Sequence, residues 1–195
     1  MKAFRSALLF LLAVVVGTTS AFAQDAQTKN KIAEIRTAYT NAVKLAQEGK
    51  NGAKKNYQVY ESVATDPNGV WNRKVEFIYD NSEIFKELEI YPCELVMIRQ
   101  TIGTSYQEFL FDPNGELIFV FVQNKSPESK SYDEYRYYYS VDGPFWKIEK
   151  TIESKTNKVI STDEGPTNFE GDAIWYHRVA GDLKSAFEYL NVIYD

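Results

Sequence analysis

The chain has 195 residues, a formal net charge of −5 and 25% charged residues, which is length enough for one domain with a sizeable core. The acidic balance, with no basic stripe along the chain, argues against nucleic acid and anionic membranes as partners. One cysteine, Cys93, cannot close an internal disulfide, and one histidine, His177, cannot build a His-rich metal site.

Residues 1–23 carry the pattern of a secretory signal peptide. Lys2 and Arg5 precede an unbroken apolar run from Ala7 to Val16, and Ala21-Phe22-Ala23 is a small-x-small cleavage site before Gln24. The apolar run is short for a bilayer span, and no cysteine stands at the cleavage point to take a lipid. The expected product is exported, periplasmic or secreted, with no integral membrane segment after cleavage. Residues 24–195 are then a single domain of 172 residues, in which 20 basic and 27 acidic side chains leave a net charge of −7.

In the mature part, Ile32, Ile35, Tyr39, Ala42, Val43 and Ala46 fall at helical spacing, predicting an amphipathic helix over about 30–48 that Gly49 and Gly52 end. Residues 56–64 and 73–79 alternate around Asp66-Pro67-Asn68-Gly69 and read as a half-buried hairpin. Residues 83–90 fit either a short helix or a strand. Leu95–Ile98 and Leu117–Val122 are apolar on both faces, so both are expected to be central strands covered on both sides. Asp112-Pro113-Asn114-Gly115 and Asp142-Gly143-Pro144 are turn signals within two aromatic strand–turn–strand units. Residues 154–171 read as a long polar loop. Thr167–Glu170 matches a capping box, with Asp172 a second cap candidate, ahead of a helix over about 172–192 whose stripe includes Tyr176, Val179, Ala180, Leu183, Phe187 and Leu190. The fold class that follows is α+β: an antiparallel β-meander of five to six strands packed by an N-terminal and a C-terminal helix.

Chemistry-bearing signals are sparse. There is no G-x-S-x-G, P-loop or G-x-G-x-x-G motif, and no catalytic residue is assigned. Asp163, Glu164, Glu170 and Asp172 lack the spacing of a calcium loop, so no metal and no cofactor are expected. Cys93, flanked by Glu94, Leu95 and Val96, reads as a buried core thiol with no local cation to activate it. Aromatic content is the unusual feature, at 15% with 14 tyrosines. Tyr135, Tyr137 and Tyr139 alternate onto one face and Tyr132 and Tyr138 onto the other; together with Trp146 they are the candidate ligand-binding residues, as a stacking platform for a protein or carbohydrate ligand. The competing explanation is that such rings pack a sheet well.

The two aromatic units overlay at a separation of 28 residues, Phe111 on Tyr139 and Gly115 on Gly143. The stretch Phe109–Ile118 resembles the tyrosine–aspartate hairpin repeats of bacterial secreted and cell-surface proteins, although Ser140 replaces the aspartate in the second unit. The whole layout resembles uncharacterised exported proteins of Gram-negative bacteria. Those resemblances imply location and a hairpin-built fold, and carry over no catalytic residue. The leading expectation is an exported, non-enzymatic binding or interaction module. Two alternatives stand beside it: a small periplasmic hydrolase using carboxylates with His177, and a structural envelope component that docks on a larger partner.

Overall fold

The structure, a computed structural model, describes the backbone of residues 2–52, 57–66, 69–81, 93–126, 128–167 and 171–193. It describes the side chains of residues 26–52, 57–63, 72–80, 94–126, 128–167 and 171–190. The Cys93 side chain, the signal-region side chains, residues 83–90 and most of the Thr167–Glu170 capping box lie outside these. The elements in chain order are α1 (Lys2–Lys50), β1 (Tyr57–Asp66), β2 (Gly69–Asn81), β3 (Cys93–Ile102) and β4 (Ser105–Phe111). After these come β5 (Leu117–Asn124), β6 (Ser131–Ser140), β7 (Gly143–Glu153), β8 (Val159–Pro166) and α2 (Asp172–Ile193).

The chain divides into two compact units, Met1–Ala38 and Tyr39–Asp195. The first is helical throughout its described length, with Ile32 and Ile35 as its buried apolar side chains. The helix starts well before residue 30, because nothing between Gln24 and Asn30 breaks it: the segment holds neither proline nor glycine. The second unit opens on the end of the same helix. There Gly52 takes φ +73° and donates its N–H to the Gly49 carbonyl at 2.9 Å, closing the helix where the two glycines predict.

The eight strands form one antiparallel sheet in the order β1-β2-β3-β4-β5-β6-β7-β8, each paired with its neighbours in sequence. The count of eight corrects the expected five to six. The clearest addition is β8, inside the stretch read as a loop. As an edge strand it is exposed along almost its whole length, so it has no buried face to impose alternation. Its signal was the β-branched run Val159, Ile160 and Thr162.

α2 crosses one face of the sheet. Ala173, Tyr176, Ala180, Leu183 and Phe187 are buried there in one cluster with Phe77, Tyr79, Ile98, Phe109, Val120, Tyr137 and Tyr139. Side chains the size of Leu183 and Phe187 each contribute roughly 1.5–3 kcal/mol on burial, which is why the helix stays down. The Phe187 ring meets those of Phe77 and Tyr79 at 5.3 and 5.6 Å, and the Tyr139 hydroxyl donates to the Ala173 carbonyl at 2.9 Å. On the opposite face Ile78, Met97, Leu110, Phe119 and Tyr138 form a cross-strand row. Tyr39 of α1 packs edge-on against Phe119 at 5.3 Å, and Ala42 and Ala46 are buried one and two turns on. The strands expected to be central are therefore covered on both sides: Val120, Val122, Met97 and Ile98 are fully buried.

The register slips by one residue directly after that row on three alternate pairs. Val96, Ile118 and Phe145 are the extra residues, on β3, β5 and β7. Bulges bend a strand and increase its twist, so three in line bend the sheet along one transverse line. No local sequence signal marks them, since all three are ordinary strand residues.

Turn chemistry fixes the β4–β5 connection. Asp112 Oδ1 accepts the N–H groups of Asn114 and Glu116, both at 2.9 Å, and Gly115 sits at φ +78°. Lys184 of α2 donates to the Gly115 carbonyl at 2.8 Å, tying helix to turn.

Candidate functional site

Two polar arrays interrupt the apolar sheet, one on each face. On the face opposite α2, cross-strand pairing sets Glu76, Arg99, Glu108, Phe121 and Arg136 in one row. Glu108 is buried, only 3% exposed. Its Oε1 accepts from Arg99 Nε at 2.9 Å and from the Tyr106 hydroxyl at 2.5 Å; its Oε2 accepts from the Tyr39 hydroxyl of α1. Burial, reinforced by the Glu108 charge, pushes both phenols above the usual tyrosine range, so they stay protonated donors. Both carboxylate oxygens are occupied by protein donors. The group is a clamp between helix and sheet, not a base open to a substrate. Beside it, Glu134 accepts from Gln123 Nε2 at 3.0 Å and from Arg136 Nη2 at 2.9 Å, while the Arg136 guanidinium lies 5.5 Å from the Phe121 ring centre.

On the α2 face the row Val75, Gln100, Gln107 and Val122 places two buried amides between two valines; the glutamines are 1% and 4% exposed. A buried amide costs stability unless it is hydrogen-bonded, and these form a relay. Arg73 donates from Nε and Nη2 to Gln100 Oε1 at 2.9 and 2.7 Å. Gln100 Nε2 donates to Gln107 Oε1 at 3.1 Å, and Gln107 Nε2 to Ser105 Oγ at 3.3 Å.

On the face opposite α2, this end of the sheet holds a groove of about 480 Å³ lined by Glu61, Val63, Asn72, Lys74 and Thr101, with Ser62 and Arg73 between them in sequence on positions that alternate to the α2 face. The β3–β4 turn closes its floor, where Gly103 at φ +55° donates to the Asn72 carbonyl at 3.2 Å. Lys74 is paired with Glu76 at 2.8 Å. Among the described residues no carboxylate lies within ion-pair distance of Arg73.

The six rings nominated from sequence do not form one exposed face. Tyr137 and Tyr139 are buried in the α2 cluster, and Tyr138 is buried on the opposite face against Phe119, with ring centres 5.1 Å apart. Tyr132 is buried too; its hydroxyl donates to Asn157 at 3.2 Å and Lys125 lies 4.4 Å from its ring centre. Tyr135 and Trp146 are half-buried, but Tyr135 packs with the α2 cluster while Trp146 pairs with Tyr138 on the other side. The alternation read from Tyr135, Tyr137 and Tyr139 is present, and it serves packing.

His177 stands exposed on α2 with its ring centre 6.0 Å from that of Tyr139. Asp163 and Glu164 are exposed on β8, Asp172 begins α2, and Glu170 lies outside the described residues. Among the described residues no three His, Cys, Asp or Glu side chains are grouped to hold a metal ion, and no helix is long and apolar enough to cross a membrane. Sequence reasoning missed Arg73, Gln100, Gln107 and Glu108. The available signal was strand parity, which puts Gln100, Gln107 and Glu108 on inward positions where an apolar residue is the default.

No protein-family model matches the chain, and no curated protein or solved structure is significantly similar to it.

Proposed function

We propose that the protein is an exported, non-enzymatic binding module that takes a small ligand in the groove lined by Glu61, Asn72, Lys74 and Thr101. The observation that carries this reading is the groove itself. It has the volume of a small-molecule site, and its lining converges donors and acceptors from three strands of a rigid sheet. The functional groups stand on paired strands, so their geometry is set before a ligand arrives. Export rests on the residue 1–23 pattern and carries its own test: mass spectrometry of the protein recovered outside the cytoplasm should find Gln24 at the N-terminus. The binding reading is tested by titrating a panel of short peptides and oligosaccharides while following backbone amide resonances. Shifts grouped on Glu61–Val63, Asn72–Lys74 and Thr101–Gly103 are expected; a panel that moves none of them ends the proposal.

A further inference from the structure

We infer that the ligand of the groove is an extended peptide, which adds to the sheet as a further strand beside β1 and sets a basic side chain against Glu61. The inference deepens the binding-module reading and rests on it. β1 is one edge of the sheet, and among the described residues no backbone bond reaches Tyr57–Asp66 except those of the β1–β2 ladder. In an antiparallel ladder every second residue of an edge strand points its N–H and C=O outward. Proteins usually blunt such edges with a bulge, a proline, a lysine or a short strand. β1 has none of these. It is ten residues long, pairs with β2 along its whole length without a register slip, and contains no proline, lysine or arginine. The other edge differs. β8 has eight residues, with Ile160 bulged out of the β7 ladder, adjacent charges at Asp163 and Glu164, and Pro166 at its end.

The side chains along this edge define what the added strand must carry. Alternation puts Val59, Glu61 and Val63 on the groove face, where Glu61, Lys74 and Thr101 form one cross-strand row. Val59 and Val63 are 42% and 69% exposed. Glu61 is exposed as well, and Lys74, its ladder partner, gives its ammonium to Glu76 at 2.8 Å. Among the described residues no cation forms an ion pair with Glu61. A strand beside β1 lays its own alternate side chains along the same face. The complementary pattern is apolar-x-basic-x-apolar, with two apolar side chains against the valines and a lysine or arginine against Glu61. A second copy of the chain fits worse: β1 holds no cationic residue, so pairing two such strands leaves both glutamates unmatched. The edge glutamate thus selects its partner, attracting a basic strand and repelling an acidic one.

The test is a titration followed by amide shifts, using acetyl-Val-Thr-Lys-Thr-Val-amide and the same peptide with glutamate in place of lysine. The lysine peptide is expected to bind about tenfold tighter, because an opposite charge beside Glu61 is exchanged for a like one. Glu61→Gln should erase that preference and Glu61→Lys should reverse it, with far-ultraviolet circular dichroism checking that both variants are folded. Two N-methylated forms of the lysine peptide, one methylated on the valines and lysine and the other on the threonines, separate strand addition from side-chain contact. Only one of those two sets of N–H groups faces β1 in a ladder, so one form should lose binding and the other keep it. Equal binding of the two charge forms, an unchanged preference in Glu61→Lys, or binding that both methylated forms keep overturns the peptide inference and leaves the binding module standing. An oligosaccharide that shifts the groove where no peptide does has the same effect. A chain that sediments as a dimer with its β1 amides protected from exchange gives the edge to a second copy and also overturns the inference. Peptides and oligosaccharides that shift nothing overturn both readings.

Discussion

Glu108 shows how one buried side chain can be worth more as a joint than as a reagent. Its two oxygens collect three donors from α1, β3 and β4, and the cost of removing it falls on Arg99, whose side chain is only 17% exposed. Deleting one partner of a buried ion pair leaves the other unpaired, so Glu108→Leu should lower the unfolding free energy by about 3–5 kcal/mol. Tyr39→Phe, which loses one charge-assisted hydrogen bond, should lower it by about 1.5–3 kcal/mol. Denaturant midpoints of the two variants measure this, and a Glu108→Leu protein as stable as the parent would sink the clamp. The residue scale is also where sequence was least informative. Tyr39 was legible as part of a helical stripe, but a 69-residue separation hides its bond to Glu108. Arg73, Gln100 and Gln107 acquire meaning only once two hairpins place them side by side. The tyrosines were legible as alternating, but exposure depends on which element lands on each face, and strand periodicity does not encode that.

At the scale of elements, most of the fold could be read because its parts are local. Both helices, the two aromatic hairpins and the central character of β3 and β5 follow from periodicity and turn residues. β8 did not, since an edge strand with two wet faces lacks a pattern, and the three aligned bulges did not, since a register slip arises between strands. The β4–β5 turn carries a sharper prediction. A side chain at Gly115 would have to adopt φ +78°, and its Cβ would lie 2.6 Å from Lys184 Nζ. The lysine tip can move, but the backbone strain stays and the Lys184 bond to the Gly115 carbonyl is disturbed. Gly115→Ala should therefore cost about 1–2 kcal/mol in a thermal or chemical melt, where an unstrained glycine-to-alanine change would be neutral or stabilising. β8 should differ from β5 in dynamics: alternate amides point out from the open edge and the rest bond only to β7 under exposed side chains, so the strand should exchange with deuterium well before Phe119–Val122. Equal protection of the two strands would contradict the edge assignment.

The whole molecule is a tyrosine-rich sheet whose phenols are largely withdrawn from water, and this sets its response to base. Burial, with smaller contributions from Asp172 and Tyr135, raises Tyr176 to about 12, and burial pushes Tyr137 and Tyr139 up as well. In the unfolded chain these groups ionise near the ordinary value of 10. The folded state thus holds its protons longer, and the stability this contributes is complete below pH 10 and is lost as pH climbs from 10 to 12. Denaturant midpoints should be flat from pH 8 to 10 and fall steeply above it; a flat profile to pH 12 would contradict the burial of these rings.

The one-after-another order of the strands also has a consequence for how the molecule is made. Every ladder joins segments adjacent in the chain, so contact order is low and each hairpin can zip as soon as its second strand emerges. A polypeptide delivered end first through a narrow channel could assemble such a sheet progressively, without waiting for distant partners. Closure of the core is different, because it depends on a helix that follows all eight strands: without α2, Phe77, Phe109, Val120 and Tyr137 have no cover. α2 therefore acts as a completion step for the sheet, and a chain stopped at residue 171 should hold strand structure yet bind hydrophobic dyes and lose its cooperative melt.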